Sequence, residues 1–307
     1  MSTAVAVGVF DGLHRGHLAL IERAFALAAG GRCVAVSFDP HPDIVLAKEF
    51  RALPPLTPLP EKKARLVALG VELHVLPFTR ELAALSPEAF VDTHLVAPYA
   101  PQWLVVGEDF ALGKGRAGNV TRLREIGTSR GFGVQSVALL QEAGSPVSSS
   151  RIRGLLADGR LTEANALLGR AYSLTGLVVH GDQVGRKLGY PTANLRLHEE
   201  KQVPANGIYA VWARVAGEPT WRMGAMSIGV RPTFGGQVRT LEVHLLDFEG
   251  DLYGKDLEVR FVAWQRSELR FESAQALIEE MGRDVVTARQ HLAAQGFPGP
   301  DEPLTGA

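Results

Sequence analysis

Apolar residues follow two different periods along the two halves of this chain. In the first half, short apolar runs predict strands at Val5–Val9, Cys33–Phe38, Glu72–Leu76, Trp103–Val106 and Val134–Val137. Between them, three- and four-residue spacing predicts helices over Leu13–Ala29, Glu61–Leu69, Pro87–His94 and Val120–Arg130. Strands separated by helices imply right-handed βαβ units in a parallel sheet, which binds ligands outside the carboxyl ends of its strands. Ile152–Leu156 and Leu161–Leu168 read as short helices, the second ending at Gly169. Beyond residue 170 the pattern becomes strand-like: Ser173–Val179, Gly207–Val215, Arg222–Ile228, Leu241–Leu246 and Leu257–Trp264. Gly and Pro turns punctuate these runs and no helices separate them, which predicts an antiparallel sandwich or barrel. A last helix is expected over Ser273–Ala293, with Leu277, Ile278, Met281, Val285, Ala288 and Leu292 on one face. The expected division is an α/β Rossmann-like domain over 1–168, a β domain with a C-terminal helix over 169–295, and a disordered Pro/Gly-rich tail over 296–307.

Composition changes this picture little. A length of 307 residues suits two domains, and 46% hydrophobic with 21% charged residues is ordinary for globular enzymes. A net charge of -1, with 7% aromatics and no basic–aromatic stripe, gives no case for a nucleic-acid or membrane partner. The single cysteine, Cys33, excludes an internal disulfide. It sits in the apolar run Cys33–Val36, so a buried inert thiol and a reducing cytoplasm are expected. The N-terminus enters a strand almost at once, so no signal peptide is expected, and no apolar run is long enough to span a bilayer.

The chemistry concentrates first at Gly8-Val9-Phe10-Asp11-Gly12-Leu13-His14-Arg15-Gly16-His17, between the first strand and the first helix. Asp11 is the expected N-cap. His14 and His17 share a face near the helix start, where exposed N–H groups favour an anion, and Gly16 lacks a Cβ, which lets a ligand approach the backbone. Together these suit a polyphosphate. His-x-Gly-His alone also fits a helix whose histidines cap or face solvent. The ten-residue stretch resembles the adenylyltransferase half of bacterial bifunctional riboflavin kinase/FAD synthetases, a family of HxGH nucleotidylyltransferases. Val147-Ser148-Ser149-Ser150-Arg151-Ile152-Arg153 resembles that family's Ile-Ser-Ser-Thr-x-x-Arg segment, with Val147 and Ser150 replacing Ile and Thr. By themselves these residues also read as an N-cap cluster followed by solvated arginines. Gly107–Gly113 resembles the family's Gly-x-Asp-Phe-x-Phe-Gly, with Leu112 in place of the second aromatic, though a mobile Gly-rich loop fits the same residues. Phe38-Asp39-Pro40-His41-Pro42 also resembles a family segment.

In the second half, Gly189-Tyr190-Pro191-Thr192-Ala193-Asn194 resembles the Gly-x-Pro-Thr-Ala-Asn signature of riboflavin kinases. Thr192 and Asn194 point the same way in extended backbone, and neutral oxygens beside substrate phosphates suit Mg²⁺; a Gly-rich turn with locally satisfied side chains is the alternative. Gly207–Ala210, Ile228–Phe234, Glu242–Phe248 and Leu252–Gly254 match the family in order, while Ser227 and Gln265 depart from its usual Asn and Ile. The resemblance covers most of both halves.

It implies a nucleotidylyltransferase domain followed by a riboflavin kinase β-barrel that converts riboflavin to FMN and FMN to FAD, using ATP twice with Mg²⁺. It assigns His14 and His17 to the ATP phosphates, Arg153 to the leaving pyrophosphate, and Gly8, Phe10, Gly16, Asp109, Ser148 and Ser149 to substrate contacts. In the kinase half it implies Gly181, Gly185, Arg186 and Gly189 as binding residues, Thr192 and Asn194 as metal ligands, and Glu242 as general base. Two readings compete: one idle half, or a non-catalytic flavin or nucleotide sensor. Intact His14, His17, Arg153, Thr192, Asn194 and Glu242 count against the sensor. The sequence leaves oligomeric state and FMN channelling open.

Overall fold

The computed structural model describes residues 2–49, 53–181, 184–233 and 236–297. Asp182, Gln183, Phe234 and residues 298–307, on which parts of the motif and tail expectations fall, lie outside the described residues. The chain divides into two compact units, the first ending at Ser149 and the second beginning at Ser150.

The first unit opens with β1 (Thr3–Val7), α1 (Arg15–Ala28), β2 (Arg32–Asp39), α2 (Pro42–Leu46), α3 (Leu59–Ala68), β3 (Glu72–Pro77), α4 (Arg80–Ala83) and α5 (Pro87–Val91). A π-helical stretch, Asp92–Val96, leads through α6 (Ala97–Tyr99) into β4 (Trp103–Gly107). A small hairpin, β5 (Ala111–Leu112) and β6 (Gly118–Asn119), precedes α7 (Val120–Arg130) and β7 (Gly133–Val137); a second, β8 (Gln141–Glu142) and β9 (Ser145–Pro146), closes the unit. Five strands form a parallel sheet in the order β3-β2-β1-β4-β7.

Side-chain size decides how the sheet is covered. On one face Val5, Val7, Val34 and Val36 pack with Phe90, Leu95 and Leu123. On the other, the smaller Ala4, Ala6, Cys33 and Ala35 meet Leu20, Ile21 and Ala24, so α1 can lie close to the sheet. Burial on both faces is why these strands read as unbroken apolar runs. Strand order reverses at β1, which puts the crevice of a doubly wound sheet at that strand's carboxyl end. The expected strand Val5–Val9 lies two residues earlier, because Gly8 and Val9 already belong to the turn. The helix expected over Pro87–His94 exists, but its periodicity concealed the π-helical widening at Asp92.

In the second unit, α8 (Ser149–Ala157) spans the junction and α9 (Leu161–Leu168) ends at Gly169, whose φ of 74° is the left-handed cap a glycine supplies. Then follow β10 (Tyr172–Val179), α10 (Val184–Lys187), β11 (Ala193–Leu197), β12 (Gly207–Val215), β13 (Arg222–Thr233), β14 (Gly236–Leu245), β15 (Asp256–Arg266) and α11 (Ala274–Gln295). The six strands close into an antiparallel barrel in the order β10-β11-β14-β13-β12-β15, which leaves no open edge. β11 was not expected: its first two residues, Ala193 and Asn194, end the Pro-Thr-Ala-Asn stretch, and Asn194 and Arg196 leave too few apolar positions for a strand pattern.

Tyr209 is wholly buried in this unit, donates from its hydroxyl to Ala205 O at 2.6 Å, and meets Phe261 edge-on. Ser273 caps α11, and Ala288 and Leu292 pack on Ala210, Val262 and Ala263. Arg266 holds the same helix by two bonds to the Asp284 carboxylate, at 2.7 and 2.5 Å. The tail expectation needs correcting at its start. Trp212 Nε1 donates to Gly296 O at 3.3 Å, and Phe297 lies against Trp212 and Trp221 at 5.5 and 5.2 Å between centroids. The apolar residue at 297 finds an aromatic surface, so order extends past the helix.

Candidate active sites

The first site is the turn between β1 and α1. It is built from backbone that most residues avoid: Phe10, Gly12 and Leu13 have φ of 53°, 84° and 40°. Asp11 is not the N-cap. Its buried carboxylate accepts from Leu56 N and Thr57 N at 2.9 and 3.0 Å, tying the turn to the segment before α3. His14 caps α1 instead, its Nδ1 accepting from His17 N at 3.3 Å. An accepting Nδ1 leaves the proton of neutral His14 on Nε2, so that edge is the donor. His17 stacks on His14 at 3.7 Å between centroids, 16° from parallel, and Phe10 meets His17 edge-on at 5.4 Å.

One sequence expectation changes here. Phe10 is wholly buried, so its ring supports His17 and has no surface to offer a ligand. The bare side of Gly16 faces His14, where a Cβ would stand 3.2 Å from Cε1 and Nδ1. The missing methyl therefore makes room for the imidazole. Ser149 Oγ donates to Asp11 O at 2.8 Å, which brings the Ser148-Ser149 segment onto the turn. Arg153 lies one turn further along α8 and is 9% exposed.

Beside the turn is a cavity of ≈ 480 Å³, lined by Gly8 and Asp109 together with Phe38, Phe78, Phe90 and Phe110. Phe78 and Phe90 had no motif to announce them, being part of ordinary apolar spacing until the sheet brought them together.

The second site lies on the barrel. β11 pairs with β14 so that Asn194 stands opposite Glu242, and β13 puts Ser227 opposite Glu242 on the other side. Thr192 Oγ1 donates to Glu242 Oε2 at 3.1 Å. The glycines of the preceding segment lie on this group. A Cβ at Gly181 would be 2.4 Å from Asn194 Nδ2, and one at Gly185 would be 2.4 Å from Tyr190 O and 3.4 Å from Thr192 Oγ1. Gly189 is exposed with φ of 87°, a turn position. Thr192 also lines two cavities. One, ≈ 420 Å³, is walled by Tyr190, Glu242 and Phe271 with Leu277 and Met281 of α11. The other, ≈ 560 Å³, holds the exposed Arg186 with Phe248, Gly250 and Tyr253. His180 stacks on Tyr253 at 3.8 Å, a pairing the sequence did not signal.

Comparisons with known proteins divide the chain in the same sense. The family model for FAD synthetase matches residues 1–151, and that for riboflavin kinase matches residues 168–292. The bifunctional riboflavin kinase/FMN adenylyltransferase of Listeria monocytogenes is 38% identical over 297 residues, covering 95% of this chain and 93% of that protein. Those of Escherichia coli K12 and Bacillus subtilis are 38% and 35% identical, covering 93% and 95% of this chain and 91% and 93% of theirs. A crystal structure from Streptococcus pneumoniae described as a macrolide-efflux protein superposes with a TM-score of 0.87 at 30% identity, covering 94% of both chains. Among the described residues of the present chain, no helix is long and apolar enough to cross a membrane. With both family models matched in order and relatives aligned over nearly their whole lengths, this chain belongs to the bifunctional riboflavin kinase/FMN adenylyltransferase family, the enzymes that make FMN from riboflavin and FAD from FMN with ATP as co-substrate.

Proposed function

We propose that each reaction has its own domain, an adenylyltransferase domain over residues 1–168, which includes α8 and α9, and a kinase domain from residue 169, and that the cluster of Thr192, Asn194 and Glu242 is the phosphoryl-transfer centre. One observation carries this reading: Glu242 is bonded to Thr192 and paired with Asn194, and Thr192 lies on the walls of two cavities. The cavity with Tyr190, Phe271 and Met281 suits a flat aromatic substrate such as riboflavin. The one with Arg186 suits ATP. Glu242 takes the proton of the riboflavin 5′-hydroxyl as that oxygen bonds to the γ-phosphorus, and the bond from that phosphorus to ADP breaks. Magnesium fits the donors present: two neutral oxygens, on Thr192 and Asn194, beside a carboxylate. Bound there, it would neutralise phosphate charge.

In the adenylyltransferase domain, an FMN phosphate oxygen bonds to the α-phosphorus of ATP and pyrophosphate leaves. The nucleophile is already anionic, so positioning and charge neutralisation do the work. His14 donates from Nε2, His17 is held against it, Ser148 and Ser149 bring hydroxyls, and Arg153 takes the pyrophosphate side. Gly8, Asp109 and the four phenylalanines of the neighbouring cavity receive the flavin. The buried thiol of Cys33 is consistent with work in the cytoplasm.

The test is a product time course with riboflavin, ATP and Mg²⁺, separating the flavins by chromatography. FMN followed by FAD is expected. FMN accumulating without FAD, even when FMN is supplied, would show an idle adenylyltransferase domain. No conversion of either flavin would refute the reading and favour a sensor.

A further inference from the structure

β1 makes its last ladder pair at Val7, and the Val9 carbonyl, two residues later, lies beyond that ladder. It is satisfied by side chains. Lys62 Nζ donates to Val9 O at 2.8 Å, and Ser37 Oγ donates to the same oxygen at 2.9 Å. Lys62 Nζ also reaches Ser37 Oγ at 3.4 Å, which closes a triangle beneath the turn. Ser37 is wholly buried and Lys62 is 6% exposed. The next residue after Val9 is Phe10, the first of the positive-φ positions that lead to His14.

Lysine is a costly choice at this place. Burial pushes its ammonium pKa down, against the opposing pull of Asp11 and Asp39. It is the fourth residue of α3, close to the positive end of the helix dipole, which also disfavours a cation. Its neighbour Lys63 is exposed, as a lysine on such a helix ordinarily is. The same stretch of chain grips the turn twice more, through Asp11 with Leu56 and Thr57 and through Gly12 N, which donates to Thr57 Oγ1 at 2.8 Å. A long side chain with several donors, buried at a cost, ends on the one carbonyl from which the histidine turn departs.

We propose that Lys62 is a positioning residue of FMN adenylylation: by fixing the Val9 carbonyl together with Ser37, it sets the turn that carries His14 and His17. The inference rests on the assignment of those histidines to the adenylylation site. Lys62 itself touches no reacting atom.

The experiment uses the full chain, whose riboflavin kinase activity serves as an internal control. Lys62→Met is expected to slow FMN adenylylation about 10- to 100-fold, the size expected when a reacting group is misplaced by about an ångström. KM for ATP and FMN, and the kinase rate, should stay within about twofold. In protein labelled with ¹³C-histidine, the imidazole signals of His14 and His17 should move. Lys62→Arg, which keeps the donors, should restore much of the rate and return the signals towards their places. Should Lys62→Met fold poorly, Ser37→Ala removes the other donor and should shift the same signals with a smaller fall in rate. Adenylylation at the wild-type rate in Lys62→Met overturns the inference. So does a fall matched by loss of folded protein with the histidine signals unmoved. His17→Ala is assayed alongside. If it adenylylates normally, the site assignment fails and takes the inference with it; if it is inactive while Lys62→Met is normal, only the role of Lys62 fails.

Discussion

Gly181→Ala isolates the role of Asn194 from the stability of the barrel. Gly181 is not among the positive-φ glycines, so alanine is tolerated by the backbone there. The new methyl is not tolerated by its neighbour: it would stand 2.4 Å from Asn194 Nδ2, 2.6 Å from Cγ and 2.8 Å from Oδ1. Ordinary contact begins near 3.4 Å, so the amide must retreat by about 1 Å, and as a side-chain terminus it can do so cheaply. Misplacement by that distance corresponds to about 10²-fold in rate, or about 2.7 kcal/mol in the barrier. Riboflavin phosphorylation should therefore fall about 100-fold while the melting temperature changes by no more than a few degrees. FMN adenylylation, measured with FMN supplied, should be unchanged. Because the substitution acts through Asn194 alone, adding it to Asn194→Ala should produce no further loss, a complete failure of additivity. A kinase rate within twofold of wild type, or additive losses in the double variant, would refute the reasoning.

Three further outcomes are expected. Glu242→Gln keeps the shape of the side chain but cannot accept the hydroxyl proton, so the kinase turnover should fall by about 10²–10⁴ with little change in KM for riboflavin, read in initial-rate assays. Burial pushes the Cys33 thiol up to about 12, so at pH 8 the reactive thiolate is scarce, and a thiol reagent should label the native chain slowly and the urea-unfolded chain at once. Gly133 pairs directly with Trp103 across β4 and β7, and a Cβ there would lie 2.3 Å from the indole ring. Gly133→Ala should destabilise the first unit by about 1–3 kcal/mol, seen as a lowered denaturant midpoint while the second unit's transition stays in place.

Elements whose signal is local were legible in the order of residues. Four of the five strands of the parallel sheet begin or end within a residue of the apolar runs; the signal is clearest in β2 and β4, whose inner residues are buried on both faces. The two-residue spacing of Thr192 and Asn194 was likewise legible, since extended backbone fixes which side each faces. Tertiary structure decided the rest, because the deciding contacts join residues far apart in the chain. Glu242 stands beside Asn194 through the register of β11 and β14, 48 positions away. Asp11 looks like a helix cap to local rules; Leu56 and Thr57, 45 and 46 positions away, claim its carboxylate and leave the cap to His14. In Glu61-Lys62-Lys63 nothing distinguishes the buried lysine from the exposed one until α3 is laid against the end of β1. Periodicity reports which side of an element is apolar. Which polar atom meets which is a property of the packed chain, set where a desolvated donor must find an acceptor wherever the fold has placed it.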